Sequence, residues 1–223
     1  VKIKKKYRSA MADRIATRRQ GDRMSVLIHT AGSIPAEDLS GLFRLRCDVF
    51  HKTLGWDVKT YDGMEYDEYD VVSQVAYIAA RSSVGEVVAC CRLLPSTGPY
   101  MLKDTFVELL HGQPAPNGPE VWELSRFAVA ADRSNRLDGS RGDLSLTMMR
   151  AAARFGVNNG IARYVMATTL PMERKLRQLG LHTHRIGPSV PLGKVHSLAL
   201  VVELDHQTLD ALGLRANVAL LNA

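Results

Sequence analysis

A mixed α/β domain, with a central and mostly antiparallel sheet flanked by helices, is the fold class that this sequence predicts. Three observations lead there. Early in the chain, short β-branched runs come in consecutive pairs across turn residues, which favours antiparallel hairpins. Later, such runs alternate with helical patterns, and a helix between two strands lays them parallel. The 223 residues, 46% hydrophobic and 23% charged, suit one large globular domain with a sizeable core.

Ser25–Thr30 is expected as a first short strand. From Pro35 to Leu54 the pattern is helical, with Leu39, Leu42, Phe43, Phe50 and Leu54 recurring at three- and four-residue spacing. An acid-rich loop, Gly55–Asp70, follows. Gln74–Arg81 and Glu86–Leu94 are strands joined across Ser82-Ser83-Val84-Gly85, a hairpin signal. Met101–Leu110 is expected as a short helix, and Gln113–Pro119 as a loop rich in Pro and Gly. Val121–Val129 is a strand by its β-branched and aromatic content. Asp143–Asn158 is a long helix, with Leu144, Met148, Ala151, Ala152 and Phe155 inward and Asn159-Gly160 as its stop. Ile161–Leu170 is a strand, made parallel to Val121–Val129 by that crossover helix. Pro171–Leu179 is a helix with Pro at its first position and Gly180 beyond its end. Ser197–Leu204 is the last clear strand, and the tail is helical.

The net charge of +6 is unevenly spread. Residues 1–23 hold nine Lys or Arg against Asp13 and Asp22, a balance of +7, and the remaining 200 residues sum to −1. Residues 1–23 are therefore read as a basic, disordered extension ahead of a start at Met24, with the functional domain over 24–223. An organelle-targeting or nucleic-acid arm is the alternative for this leader; it lacks the apolar stretch of a secretory signal, and no nucleic acid partner is expected. Cys47, Cys90 and Cys91 make neither a disulfide framework nor a metal-ligand spacing, so a reducing, cytoplasmic setting is expected. The apolar runs reach about seven residues against the roughly 20 that span a bilayer, so no membrane span is expected.

The chemistry is concentrated in a few misplaced charges. Val121-Trp122-Glu123-Leu124-Ser125-Arg126-Phe127 carries a carboxylate and a guanidinium in a strand that should be apolar. A buried charge stripped of its partner costs about 3–5 kcal/mol, so this strand is either an ion-paired element or the floor of a site. Glu123 and Arg126 face opposite sides of a flat strand, and reaching one pocket requires a bulge near Ser125. Arg46 is the second anomaly. It falls in the middle of the stripe formed by Leu39, Leu42, Phe43 and Phe50, whereas Arg44 lies outside it. An arginine there needs a buried anion or a ligand, unless it snorkels from the helix end.

Arg92 alternates with Val88, Cys90 and Leu94 on one face of its strand. Asp67 and Asp70, flanked by Glu65 and Glu68, are candidate partners for these arginines, although an acid-rich loop is ordinarily solvated and the spacing does not suit calcium. Phe50, Trp56, Phe106 and Phe127 are either flat walls of a polar pocket or plain core. His182 and His184 alternate on one strand face without a third ligand, so no metal is expected. Ser125 lacks a neighbouring His/Asp grouping and a nucleophile elbow, which argues against serine hydrolase chemistry.

Taken in order, the pattern Arg46-x3-Phe50-x5-Trp56, Asp67-x2-Asp70, Arg92-Leu93-Leu94-Pro95, Phe106 and Glu123-x-Ser125-Arg126-Phe127 lies between Met24 and Gly187. Each piece is weak; in register they resemble the N-acyl-homoserine lactone synthases, the signal-producing enzymes of bacterial quorum sensing. The resemblance implies a GNAT-like α-β-α sandwich whose twisted sheet splays between its two central strands to admit a pantetheine arm. It implies two substrates: S-adenosylmethionine as amine donor, and a fatty acyl thioester on acyl carrier protein, with acyl-CoA used by some members. S-adenosylmethionine is consumed, so no cofactor is expected. The amine attacks the thioester carbonyl, and the methionine carboxylate then displaces 5′-methylthioadenosine as the lactone closes.

The same resemblance implies roles for residues. Glu123, Arg126 and Ser125 are the catalytic candidates. Glu123 would help deprotonate the α-ammonium, whose reference pKa is roughly 7.7–8.0. Arg126 would hold the substrate carboxylate or a partner carboxylate. Arg46, Phe50, Trp56, Met64, Asp67, Asp70, Arg92 and Phe127 are the candidates for binding S-adenosylmethionine. Backbone N–H groups along Phe127–Val129 are candidates for the oxyanion. Phe106, Leu102, Met148, Val165, Thr168 and Met172 would take the acyl chain, with Thr169 as available as Thr168 for a C3 oxygen. Arg174, Lys175 and Arg177 form a basic surface suited to an acidic carrier protein, or simply a solvated face. Two rivals remain: a generic acetyl-CoA N-acetyltransferase, of whose glycine-rich loop only Arg141-Gly142 is present, and a non-catalytic binding protein whose leader engages nucleic acid.

Overall fold

In chain order, the computed structural model carries β1 (Ser25–Thr30), α1 (Ala36–Arg46), a π-helical continuation Cys47–Thr53, the two-residue strands β2 (Thr60–Tyr61) and β3 (Met64–Glu65), and a 3-10 turn Glu68–Val71. There follow β4 (Ala76–Arg81), β5 (Val87–Pro95), α2 (Met101–Asp104), a 3-10 turn Val107–Leu110, and β6 (Val121–Val129). The second half holds α3 (Leu144–Asn158), β7 (Arg163–Thr169), α4 (Leu170–Gln178), β8 (Thr183–Arg185), β9 (Val190–Leu192), β10 (Val195–Glu203) and α5 (His206–Ala211). The structure describes residues 24–30, 32–130, 144–193 and 195–214; the basic leader, Arg141-Gly142 and residues 215–223 lie outside the described residues.

The elements follow local chemistry closely. Gly85, at φ +87°, closes the β4–β5 hairpin, and its N–H bonds to the Ser82 carbonyl at 3.0 Å. In α1, Glu37 and Asp38 sit in the first turn and Arg44 and Arg46 in the last, matching the helix dipole. Gly160, at φ +69°, ends α3 as expected. The helix predicted over Met101–Leu110 is instead two short pieces. The Asp104 carboxylate accepts from the Tyr100 N–H at 3.1 Å, closing the first piece on itself, and Phe106 leaves helical backbone geometry.

The large sheet has the order β1-β4-β5-β6-β7-β10-β8, with β9 also on β10. Its ladders are antiparallel except β6 with β7, where the α3 crossover makes them parallel. That parallel ladder is short: Val121, Trp122 and Glu123 pair with Arg163, Tyr164 and Val165, and pairing goes no further. Beyond Glu123 the two central strands part, as the resemblance led us to expect.

Each face of the sheet carries its own core. On the α3 face, Ile78, Leu93, Met148, Leu198 and Leu200 are fully buried. At about 1.5–3 kcal/mol for each large apolar side chain removed from water, this face anchors the domain. Gly156 belongs to it, because a Cβ there would run into Leu204 and crowd the Tyr164 hydroxyl. On the opposite face, Leu42 of α1 and Leu102 of α2 pack with Phe50, Leu94, Val165 and Ala199. No helix among the described residues is long and apolar enough to cross a membrane.

Candidate active site

Three arginines and four acids converge on the α1 face. Arg46, Arg92 and Glu123 are 0% exposed and Glu65 is 1% exposed. Arg46 ends α1, where the chain loosens into the π-helical segment. Its Nη1 and Nη2 donate to Asp70 at 2.8 and 3.0 Å, and its Nε donates to Glu65. Arg92 grips Asp67 with both terminal nitrogens, lies 3.0 Å from Asp70, and donates through Nε to the Ser125 hydroxyl at 3.2 Å. Arg126 donates through Nη2 to Glu65 and to Asp67, each at 2.8 Å. Aromatic rings flank the guanidinium groups: Phe43 by Arg46, Tyr69 by Arg92 and Phe50 by Arg126, at 5.3, 5.5 and 5.6 Å.

The spacing Asp67-x2-Asp70 serves the backbone as well as the arginines. Asp67 accepts from the Tyr69 N–H at 3.0 Å, and Asp70 accepts from the Asp67 N–H at 2.9 Å, a reciprocal cap on the 3-10 turn. The buried Tyr77 hydroxyl donates to Asp70 at 3.0 Å. Both carboxylates are thus oriented by bonds independent of the arginines.

The predicted bulge brings Arg126 into this group. Ser125 pairs with Arg92 and Ala128 with Cys90, so Arg126 and Phe127 together oppose Cys91. Arg126 takes φ +52°, a left-handed backbone costing a non-glycine residue about 1–2 kcal/mol. Its ion pairs hold it there. The bulge also reverses the alternation beyond it, so Phe127 packs into the α3-face core and does not wall the ion cluster, contrary to expectation. A second irregularity, at Ala80/Arg81, turns Val88 to that face too, leaving Cys90 and Leu94 beside Arg92.

Glu123 stands apart electrostatically. It accepts from the backbone N–H groups of Met101 and Leu102, at 3.1 and 2.7 Å. Burial pushes its pKa up, and those two amides and the charges of Arg92 and Arg126 only partly offset this. Burial would raise Glu65 and Asp70 as well, but their bonded arginines hold both below the usual carboxylate range. Three guanidinium groups therefore match Glu65, Asp67 and Asp70, and Glu123 is the carboxyl group left without an arginine bonded to it. It also occupies the last rung of the β6–β7 ladder, at the apex of the opening.

The other candidates divide by location. Phe50 and Trp56 stack at 5.2 Å beside the cluster, and half-buried Met64 precedes Glu65 on β3. Ser125 reaches Arg92 and no general base. Leu102, Phe106 and Val165 share the α1-face core, whereas Met148 and Met172 pack in the α3-face core, so the expected acyl-pocket residues fall on both sides of the sheet. Thr168 is half-buried on β7, beyond the point where β6 has diverged. On α4, Arg174 and Arg177 are exposed and Lys175 is half-buried. No group of three His, Cys, Asp or Glu among the described residues could hold a metal; His182 bonds Asp205 at 2.6 Å.

Sequence reasoning missed Glu65, Tyr77 and Met101. Glu65 had a usable signal, since three core-facing arginines outnumber Asp67 and Asp70. Tyr77 and Met101 had none, because a tyrosine in a strand and a methionine opening a helix are ordinary core residues.

The comparisons with known proteins agree with this geometry. A model of the autoinducer synthase family matches residues 33–212. An acyl-homoserine-lactone synthase from Pseudomonas aeruginosa is 41% identical over 175 residues, covering 78% of this chain and 86% of its own. Among solved structures, the AHL synthase LasI superposes with a TM-score of 0.79 at 40% identity, covering 86% of this chain and 95% of its own. BjaI, a CoA-dependent acyl-homoserine lactone synthase solved with SAM and isopentyl-CoA, gives 0.71 at 28% identity, covering 87% and 90%. With its GNAT-like fold, buried ion cluster and parted central strands, the chain belongs to the autoinducer synthase family and is an acyl-homoserine-lactone synthase.

Proposed function

We propose that this synthase joins the α-amine of S-adenosylmethionine to a fatty acyl group carried as a thioester on acyl carrier protein, and then closes the lactone ring. The single observation that carries this reading is the surplus carboxylate, Glu123, at the apex of the β6–β7 opening beside three neutralised arginines. S-adenosylmethionine brings an ammonium, a sulfonium and a carboxylate, one positive charge net. A buried cluster in which one carboxyl group has no arginine bonded to it is, once that group is ionised, its complement.

In the first step Glu123 takes a proton from the ammonium, directly or through water, and the freed amine attacks the thioester carbonyl. Backbone N–H groups along Phe127–Val129 are our candidates for the oxyanion. The carbon–sulfur bond breaks, the carrier thiol leaves, and an amide remains. In the second step a carboxylate oxygen of the methionine arm attacks the carbon bonded to the sulfonium. That carbon–sulfur bond breaks and 5′-methylthioadenosine leaves as a neutral thioether. Phe50 and Trp56 would flank the adenosine and hold the arm folded, a proximity effect that can contribute several kcal/mol to ring closure. Arg126 holds the partner carboxylates Glu65 and Asp67 in this reading, orienting them toward the substrate's cationic groups.

Carrier protein is favoured as donor by α4, which begins directly after β7 at the opening and exposes Arg174 and Arg177. The test incubates the purified chain with S-adenosylmethionine and either acyl-carrier protein or acyl-CoA, and reads lactone and 5′-methylthioadenosine by mass spectrometry. We expect both products, faster from the carrier, with that advantage lost in Arg174→Glu/Arg177→Glu. Neither product from either donor would overturn the reading. Faster turnover with CoA, the dependence of BjaI, would overturn only the choice of donor.

A further inference from the structure

Met101 touches three charged residues of the site, Glu123, Arg92 and Arg126. Its backbone N–H donates to Glu123 Oε2 at 3.1 Å. Its Sδ accepts from Arg92 Nη2 at 3.0 Å and from Arg126 Nη1 at 3.2 Å. The residue is held from behind: Tyr100 is fully buried, its hydroxyl donates to the Pro116 carbonyl at 2.6 Å, and its N–H is taken by Asp104. A thioether is a weak, neutral acceptor. It can occupy an N–H of each guanidinium without adding a negative charge beside Glu123. Leucine or isoleucine would fill the same space and offer those N–H groups no acceptor, so the guanidinium groups would turn to the neighbouring carboxylates.

We propose that Met101 is a positioning residue for the reaction, its thioether and its backbone amide together fixing the two guanidinium groups relative to the Glu123 carboxylate. This rests on the assignment of Glu123 as the base. Glu123 is faced by Arg92 from β5, Arg126 from its own strand, Tyr69 from the 3-10 turn and Tyr100 from the approach to α2. Of these, the two arginines draw its pKa down, and both rest on Met101. When the sulfur is removed they are free to lean toward Glu65, Asp67 and Asp70, and the Glu123 pKa rises.

Met101→Leu tests this, because the swap keeps volume and the backbone N–H while deleting the acceptor. Four proteins are compared, wild type, Met101→Leu, Met101→norleucine and Glu123→Gln, by thermal unfolding and by the pH dependence of kcat/KM for S-adenosylmethionine. The expected result for Met101→Leu is near-wild-type unfolding, a loss of about tenfold or more in kcat/KM, and an acid limb displaced to higher pH. Norleucine, which matches methionine's shape and lacks its sulfur, should reproduce both changes. Wild-type kcat/KM, or a loss with an unmoved acid limb, would overturn the proposal and leave Met101 as packing. In either case strong loss in Glu123→Gln would preserve the base assignment. Full activity in Glu123→Gln would remove that assignment and, with it, the role given to Met101.

Discussion

The two faces of this sheet are built from the same strands and do opposite things with burial. On the α3 face Met148, Leu198 and Leu200 are sealed from water and carry no charge. On the α1 face Arg46, Arg92 and Glu123 are sealed just as completely. Hydrophobic burial is favourable without conditions, whereas a buried ion pair returns its desolvation cost only with good geometry and a full set of partners. The α3 face therefore supplies stability. The α1 face is a concentration of charge whose retention is best explained by a charged substrate. In the proposed reaction the acyl chain would pass between the parted β6 and β7, from the reacting centre toward apolar core.

This contrast can be broken most severely at Arg46. Arg46→Met removes the shared partner of Glu65 and Asp70 and leaves two carboxylates short of a counter-charge. Urea denaturation should show a loss of about 3–5 kcal/mol, and the folded fraction should be inactive. A stable, active Arg46→Met would mean the α1 face tolerates apolar packing as well as its opposite does. Next in size is Leu200→Ala in the α3-face core, expected to cost about 2–5 kcal/mol while turnover per folded molecule stays near wild type. A large fall in that turnover would show the faces to be coupled.

Acid sharpens the comparison with smaller effects. Glu65 and Asp70 titrate below their ordinary range when folded, so their contribution is present above about pH 4 and drains away as pH falls through their folded values. Glu123 is raised, so its contribution has the opposite sign: stability is fullest below its unfolded pKa and declines as pH rises through the folded one. Arg46→Met should flatten the acid loss of stability, because it weakens the pairing of Glu65 and Asp70. Leu200→Ala should lower the stability curve at every pH without changing its slope. A parallel slope in both variants would contradict the division of labour.

Most of the fold was legible because local and tertiary preferences agree. The β4–β5 hairpin, the crossover helix and the parallel β6–β7 pair follow from turn residues, helical periodicity and connection length. Misplaced charges pointed to the site: an arginine in the Leu39–Phe50 stripe, and Glu123 three residues from Arg126. The bulge was required by those two, yet its consequence for Phe127 was not followed one residue further, where the reversed alternation turns the ring away. Glu65 was legible only by count, since three core-facing arginines call for a third acid. Its local context of Asp62, Tyr66 and Glu68 reads as solvated loop, and the β2–β3 hairpin is what drives it inward. The division of acyl-pocket residues between faces was equally invisible, since it depends on where the sheet opens.

If the α1 face keeps its charges for chemistry, Glu123→Gln must separate activity from stability when lactone formation and urea denaturation are measured on one preparation. We predict turnover lower by about 10²–10⁴-fold, with stability changed by no more than about 1–3 kcal/mol, the cost of an amide N–H left without its acceptor. Turnover within a few fold of wild type, or a protein that no longer folds, would show that Glu123 serves the structure and not the reaction.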